Sequence, residues 1–140
     1  MDKIAVIYWS GTGNTEAMAN AIAEGIKSAG GEADVFAVSD FAVDTFDSYK
    51  KVALGCSAMG DEVLEEVEFE PFFCDIEGKL GDKKVALFGS YGWGDGKWMR
   101  DWEERVPGAN LFAEGLMVNG MPAGATKDEC VEFGKKFAEC

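Results

Sequence analysis

Ser10-Gly11-Thr12-Gly13-Asn14-Thr15 packs four hydroxyl or amide side chains and two glycines into six residues, with no charge among them. An apolar run, Ile4 to Trp9, precedes it, and a helix-patterned run follows from about Glu16. A strand that ends in a tight glycine turn and opens into a helix aims backbone N–H groups, and the positive end of the helix dipole, at one point. The chemistry is anion binding by dipoles alone. A nucleoside-triphosphate loop would need a lysine, and none lies in the segment. A dinucleotide fingerprint would need a third glycine where Glu16 stands. A monophosphate loop remains, set against a hydroxyl-rich helix cap that holds no ligand.

Two further stretches suggest what the phosphate is attached to. Ser57-Ala58-Met59-Gly60-Asp61-Glu62 offers a thioether, a glycine hinge and two carboxylates. Ser90-Tyr91-Gly92-Trp93-Gly94-Asp95-Gly96 displays a tryptophan on a glycine scaffold, with little local structure to bury it. Met59 opposite Trp93 would clamp a planar ring between sulfur and indole. Taken singly, Met59 also reads as core filling, and Trp93 as an aromatic folded onto its own domain. Strand and helix spacing explains Trp9, Trp98 and Trp102. A planar ring joined through a linker to one terminal phosphate describes FMN.

Composition removes other chemistries. The chain has no histidine, which excludes His-based acid–base catalysis, catalytic triads and the usual zinc sites. Cys56, Cys74, Cys130 and Cys140 form neither a C-x-x-C pair nor an iron–sulfur spacing, so all four are expected to be reduced packing residues. A signalling receiver would need acidic residues after the first strand, where Ser10-Gly11 stand; a Cys-x5-Arg phosphatase built on Cys56 would need arginine in place of Glu62. Asp+Glu 26 against Lys+Arg 13 give a net charge of -13, which repels nucleic acid and anionic membranes and attracts basic proteins. Asp61, Glu62, Glu65, Glu66, Glu68 and Glu70 fall in ten residues without a lysine or arginine, a candidate docking face.

The elements that must position these loops alternate regularly. Strands are expected at Ile4–Trp9, Ala33–Val38, Val52–Cys56 and Val85–Gly89, with a weaker fifth between Leu111 and Val118. The first helix carries Met18, Ala21, Ile22, Gly25, Ile26 and Ala29 at helical spacing and stops at Gly30-Gly31. Residues 39–50 read as loop with one helical turn. Pro71 is expected to start a helix with Phe69, Phe72, Phe73 and Ile76 on one side. Trp98, Trp102 and Val106 mark another, closed by Pro107-Gly108, and a capping box, Thr126 to Glu129, opens the last, with Cys130, Phe133 and Phe137 inward. Five βα repeats mean an α/β fold with a parallel sheet covered on both faces, and all three loops at the carboxyl edge of the strands. With 140 residues and no internal repeat or linker, one domain over 1–140 is expected. No stretch approaches the length of a membrane span and no signal-peptide pattern leads the chain, so a cytoplasmic location is expected.

Taken together, Ser10–Thr15, Met59–Glu62 and Gly89–Gly94 resemble short-chain flavodoxins, and the likeness runs through essentially the whole chain. The resemblance implies a flavodoxin-like three-layer sandwich with a five-stranded parallel sheet of order 2-1-3-4-5. It implies a low-potential one-electron carrier that binds FMN non-covalently and shuttles between semiquinone and hydroquinone. Its partners would be basic reductases and low-potential oxidoreductases docking at the acidic flavin edge, and the chain itself would be a monomer. By the same resemblance Ser10, Thr12, Asn14 and Thr15, with the backbone of Gly11 and Gly13, would bind the phosphate. Ser57, Ala58 and Ser90 would line the ribityl chain; backbone groups of Tyr91, Gly92 and Trp93 would meet the pyrimidine edge, and Glu62 would accept from the flavin N3–H. The Gly60–Asp61 peptide would reverse on one-electron reduction, a movement that glycine permits because it takes either sign of φ. The rival reading is an FMN-dependent NAD(P)H or quinone reductase of the same fold; the chain shows no basic patch for a nicotinamide cofactor and no long insertion to build one.

Overall fold

The computed structural model describes residues 3–60, 62–108 and 110–140. Strand β1 (Lys3–Trp9) sends Ile4, Val6 and Tyr8 to one buried layer and Ala5 and Ile7 to the other, the period of two required of a strand covered on both faces. Among the described residues β1, β2 (Glu32–Ala37), β3 (Lys51–Cys56), β4 (Lys84–Tyr91) and β5 (Leu116–Asn119) form one parallel sheet in the order β2-β1-β3-β4-β5. Helices α1 (Asn14–Ser28) and α4 (Ala125–Glu139) pack on one face, and α2 (Phe69–Ile76) and α3 (Lys97–Glu103) on the other. The chain leaves β1 for β2 on one side and returns to β3 on the other, so the loops after β1 and β3 part and leave a crevice at the carboxyl edge.

Each helix is set by identifiable contacts. α1 ends in a Schellman turn: the Gly30 N–H donates to Lys27 O and the Gly31 N–H to Ile26 O, both at 3.0 Å, with Gly30 at φ 92°. Gly25 of α1 and Gly134 of α4 let the two helices touch backbone to backbone; a Cβ on Gly25 would lie 2.8 Å from the Val131 carbonyl carbon. Phe69, Phe72, Phe73 and Ile76 are all buried, as their spacing required, and Phe69 and Phe73 meet Trp102 edge-on at 5.4 and 5.9 Å.

Several expected boundaries move, each for a local reason. α1 starts at Asn14 rather than Glu16, because Gly13 at φ 94° turns the chain into the helix at once. α2 starts at Phe69, two residues before Pro71, because the Glu65 carboxylate accepts the N–H groups of Val67, Glu68 and Phe69 and organises the first turn. Val106 is buried but lies in the turn after α3. Residues 38–40 and 43–48 are short 3₁₀ segments. The fifth strand contracts to Leu116–Asn119, and Leu111 keeps only an isolated bridge to Val85. The capping box does not form: Gly124 at φ 55° starts α4 at Ala125, so Thr126 sits inside the first turn and bonds back to the Ala123 N–H and carbonyl. Cys56 and Cys130 are buried free thiols as expected, whereas Cys74 and Cys140 are free but exposed and fill no core position.

Candidate functional site

α1 begins directly behind the glycine turn, and among the described residues no side chain caps it. The N–H groups of Asn14, Thr15 and Glu16 therefore remain available to a ligand beyond the turn, with the helix dipole behind them. Ser10 braces the turn from within, its Oγ accepting the Gly13 N–H at 3.0 Å. Thr15 is fully buried; its Oγ1 lies 2.6 Å from Ser57 Oγ and accepts the Ser90 N–H at 3.3 Å. That one hydroxyl joins the start of α1, the loop after β3 and the end of β4.

Between these loops lies an open slot of about 310 Å³, within the usual range for small-molecule pockets. Gly11, Thr12 and Asn14 line one end. Ser57, Ala58 and Ser90 follow, and Met59, Tyr91, Gly92 and Trp93 line the other end. Among the described residues no charged side chain is in the lining. Trp93 is 55% exposed, an unusual state for an indole unless a partner or ligand covers it. Its Nε1–H donates to the Gly60 carbonyl at 3.3 Å, which sets it beside the Met59 loop. Ser10, Gly13, Thr15, Gly60 and Glu62 are not in the lining; Gly60 is exposed and borders a neighbouring hollow with Val63 and Glu66.

The Met59 loop is held at two points. Met59 and Val63 exchange N–H···O bonds of 2.9 Å, and Glu62, at φ 57°, accepts the Gly96 and Lys97 N–H groups at 3.1 and 2.9 Å. The Glu62 carboxylate thus caps α3. Asp61, and with it the Gly60–Asp61 peptide, lies outside the described residues; Gly60 sits at φ 49°.

Two slot residues escaped the sequence reading. Trp9 lines the slot and packs its ring over Gly11, where a Cβ would come within 3.0 Å. Gly120 lines it too, pinned by Ser90 Oγ–H to its carbonyl at 2.9 Å and by its own N–H to Tyr91 O at 3.0 Å. The signal for Trp9 was its place as the last strand residue before the loop; nothing local marked Gly120.

The acidic run is not a uniform face. Burial alone would raise the Glu65 carboxyl, but the N–H groups of Phe69, Glu68 and Val67 outweigh it and hold the group below the usual carboxylate range. Glu70 is lowered by a two-pronged pair with Arg105, with both contacts at 2.7 Å. Among the described residues of the run, Glu66 and Glu68 are the exposed carboxylates. Burial pushes the Cys56 thiol, at the end of β3, up to about 12, so it stays neutral at ordinary pH.

A doubly wound α/β protein whose crevice joins an uncharged N–H cradle to an indole-and-thioether wall belongs to the class that binds a planar ring carrying a phosphate. The flavodoxin family model matches residues 6–134. A flavodoxin of Clostridium beijerinckii is 56% identical over 135 residues, covering 95% of this chain and 97% of that protein. One of Megasphaera elsdenii is 47% identical over 138 residues, covering 97% and 98%. The solution structure of two-electron reduced Megasphaera elsdenii flavodoxin superposes with a TM-score of 0.89 over 98% of this chain and 99% of that one, at 45% identity. The chain belongs to the flavodoxin family, whose members are FMN-binding electron-transfer proteins and not enzymes. Flavodoxins are themselves a standard illustration of ligand binding at the β1/β3 switch point, so the slot lies where the family topology puts it.

Proposed function

We propose that this chain is a low-potential carrier that holds FMN in the slot, moves one electron at a time, and works in the cytoplasm as a single-domain monomer. The observation that carries the reading is the joined slot: free N–H donors at one end, a half-exposed indole at the other, and no cation between them. The fit is chemical as well as spatial. Uncapped helix N–H groups suit a phosphate, the hydroxyls of Ser57 and Ser90 suit a polyol linker, and Trp93 and Met59 suit a flat ring. Bound FMN would supply reversible one-electron chemistry.

The residues divide the work. Thr12 and Asn14, with the backbone of Gly11 and Gly13, hold the anionic end; Ser10 and Thr15 keep that loop in place. Ser57, Ala58 and Ser90 line the middle. Tyr91, Gly92 and Trp93 form the ring wall opposite Met59, and Glu62 fixes the Met59 loop to α3. With no lysine or arginine at the phosphate, the negative charge stays uncompensated and disfavours adding a second electron. Exposed Glu66 and Glu68 act in the same direction and steer basic partner proteins to the ring edge. The reductase alternative is not favoured, since the close relatives are electron carriers.

Titrating the metal-free apoprotein with FMN while following Trp fluorescence and visible absorbance tests the reading. Stoichiometric binding is expected, weakened at least about tenfold (1.4 kcal/mol) in Trp93→Ala. The midpoint of the second electron should lie below that of free FMN and rise with added salt. A colourless protein that ignores FMN refutes it.

A further inference from the structure

β5 closes one side of the sheet: among the described residues it pairs with β4 alone, and its other edge meets no strand. Such an edge offers a row of unpaired backbone groups and is usually blunted by charge, proline or a bulge. Leu116–Asn119 carries no charged residue and no proline. Beside it, between β5 and α4, opens a groove of about 490 Å³, larger than the slot's 310 Å³. Its floor is apolar. Phe112 meets the Phe133 ring edge-on at 5.5 Å, and both rings stay only half-buried, with Leu116 next to them in the lining. Its rim is acidic. Glu129 and Glu132 stand one turn apart on α4 and Glu114 on the loop before β5, all exposed, against Lys136 alone. Among the described residues none of the three carboxylates forms an ion pair.

The charges choose the occupant. A second copy of this chain, net charge -13, would set one acidic rim against another. A basic segment meets the opposite field. We propose that the groove docks an extended segment of a partner protein that adds a strand to β5, lays one apolar side chain on Phe112 and Phe133, and carries a basic residue two positions away on either side. The spacing follows from the strand period: residues two apart point to the same face, here the face covered by α4. Backbone pairing with the free edge supplies affinity, the phenylalanine floor selects the apolar residue, and Glu114, Glu129 and Glu132 select its basic neighbours. The groove also leads to the slot, since Gly120, the residue after β5, lines it. That docking here brings a redox partner beside the cofactor rests on the FMN reading; the docking itself does not.

The probe is a short peptide, Lys-Thr-Leu-Thr-Lys, capped at both ends and titrated into ¹⁵N-labelled, FMN-loaded protein. Saturable shifts are expected at the amides of Gly115, Leu116, Met117, Val118 and Phe133, with slowed hydrogen exchange along β5. Methylating the peptide's backbone nitrogens, or replacing its leucine with threonine, should weaken binding about fivefold or more. The double variant Glu129→Gln/Glu132→Gln should weaken it severalfold. FMN absorbance shows that each variant is folded, and a chain that failed to take FMN would still be read at the β5 amides, so the two failures are told apart. No saturable shift, undiminished binding of the methylated peptide or in the double variant, or shifts as large at Glu66 and Glu68 overturn the proposal. So does protection of β5 that grows with protein concentration alone, which would make the occupant a second copy.

Discussion

Replacing Gly25 with alanine sets two effects of opposite sign against each other, and the structure decides between them. Helix propensity alone predicts a gain of about 1 kcal/mol, because glycine in a helix interior is disfavoured by that much. The added Cβ, however, would lie 2.8 Å from the Val131 carbonyl carbon and 3.0 Å from the Lys135 nitrogen, with the Val131 oxygen nearer still. Comfortable carbon contacts begin near 3.5 Å, so α1 and α4 would have to part by roughly 1 Å. The atoms in the way belong to the main chain and cannot rotate aside. Overpacking of this kind costs about 3 kcal/mol, the upper end of the ordinary range, which leaves a net loss near 2 kcal/mol and lowers Tm by about 8 °C. Because α1 carries the free N–H groups at its start, the displacement should also weaken FMN binding. Urea unfolding of the apoprotein, followed by fluorescence, measures the first effect and FMN titration the second. Asn20→Ala, on the exposed face of the same helix, serves as control and should gain a few tenths of a kcal/mol. Gly134→Ala meets the Ile22 backbone at 2.9 and 3.1 Å and should behave like Gly25→Ala. The double variant should lose less than the two singles added, since helices already parted admit the second methyl more easily. If Gly25→Ala unfolds at or above the parent's midpoint, the close-crossing argument is wrong.

Other consequences concern single side chains. Glu65→Gln should destabilise by about 1–3 kcal/mol at pH 7, because three backbone N–H groups lose a charged acceptor. The folded carboxyl is depressed, so its stabilisation is complete above the ordinary carboxylate pKa near 4.3 and is lost as pH falls through the lower folded value. Urea midpoints of parent and variant should accordingly converge at low pH, and a gap independent of pH would count against the cap. With a disulfide reagent at pH 8, Cys74 and Cys140 should react in the native protein, Cys74 more slowly because the Glu70 carboxylate keeps its thiol protonated. Cys56 and Cys130 should wait for unfolding, and early modification of Cys56 would contradict its burial. Lys51→Met should lower stability by about 1 kcal/mol by removing the donor to the last carbonyls of α4, and should be read by thermal melting.

Legibility in the sequence followed the range of the interaction. Val52–Cys56 and the Met18–Ile26 spacing announced themselves because strand and helix periods are local, and so did Ser10–Thr15, whose turn, helix and dipole all arise within one stretch. The bracing role of the Thr15 hydroxyl was not legible, because its partners, Ser57 and Ser90, lie 42 and 75 residues away. Trp9 looked like core because a strand's last residue keeps the strand's alternation while its ring leans past the sheet edge. Glu65 and Glu70 read as part of one acidic docking face, since nothing in the run shows that one would cap a helix and the other pair with Arg105. The Thr126 box failed for a different reason: a glycine just upstream supplied a conformation that capping statistics do not anticipate.

The two ends of the slot are supported unequally, and this bears on how a carrier can hold its cofactor and still adjust it. The phosphate end is tied into the sheet. Thr15 is buried and bonded to two other loops, and Ser10 closes the turn. Any movement there would break several bonds at once, in a place with little water to replace them. At the ring end, among the described residues, the Met59 loop rests on a pair of backbone bonds to Val63 and on the Glu62 carboxylate reaching to α3, with Gly60 at positive φ between them. Neither of these supports uses the Gly60 carbonyl, which among the described residues accepts from the Trp93 indole. A rigid anchor with a pliant opposite wall therefore follows from where the hydrogen bonds fall. The same chain can keep the anionic tail fixed while the environment of the ring changes with charge.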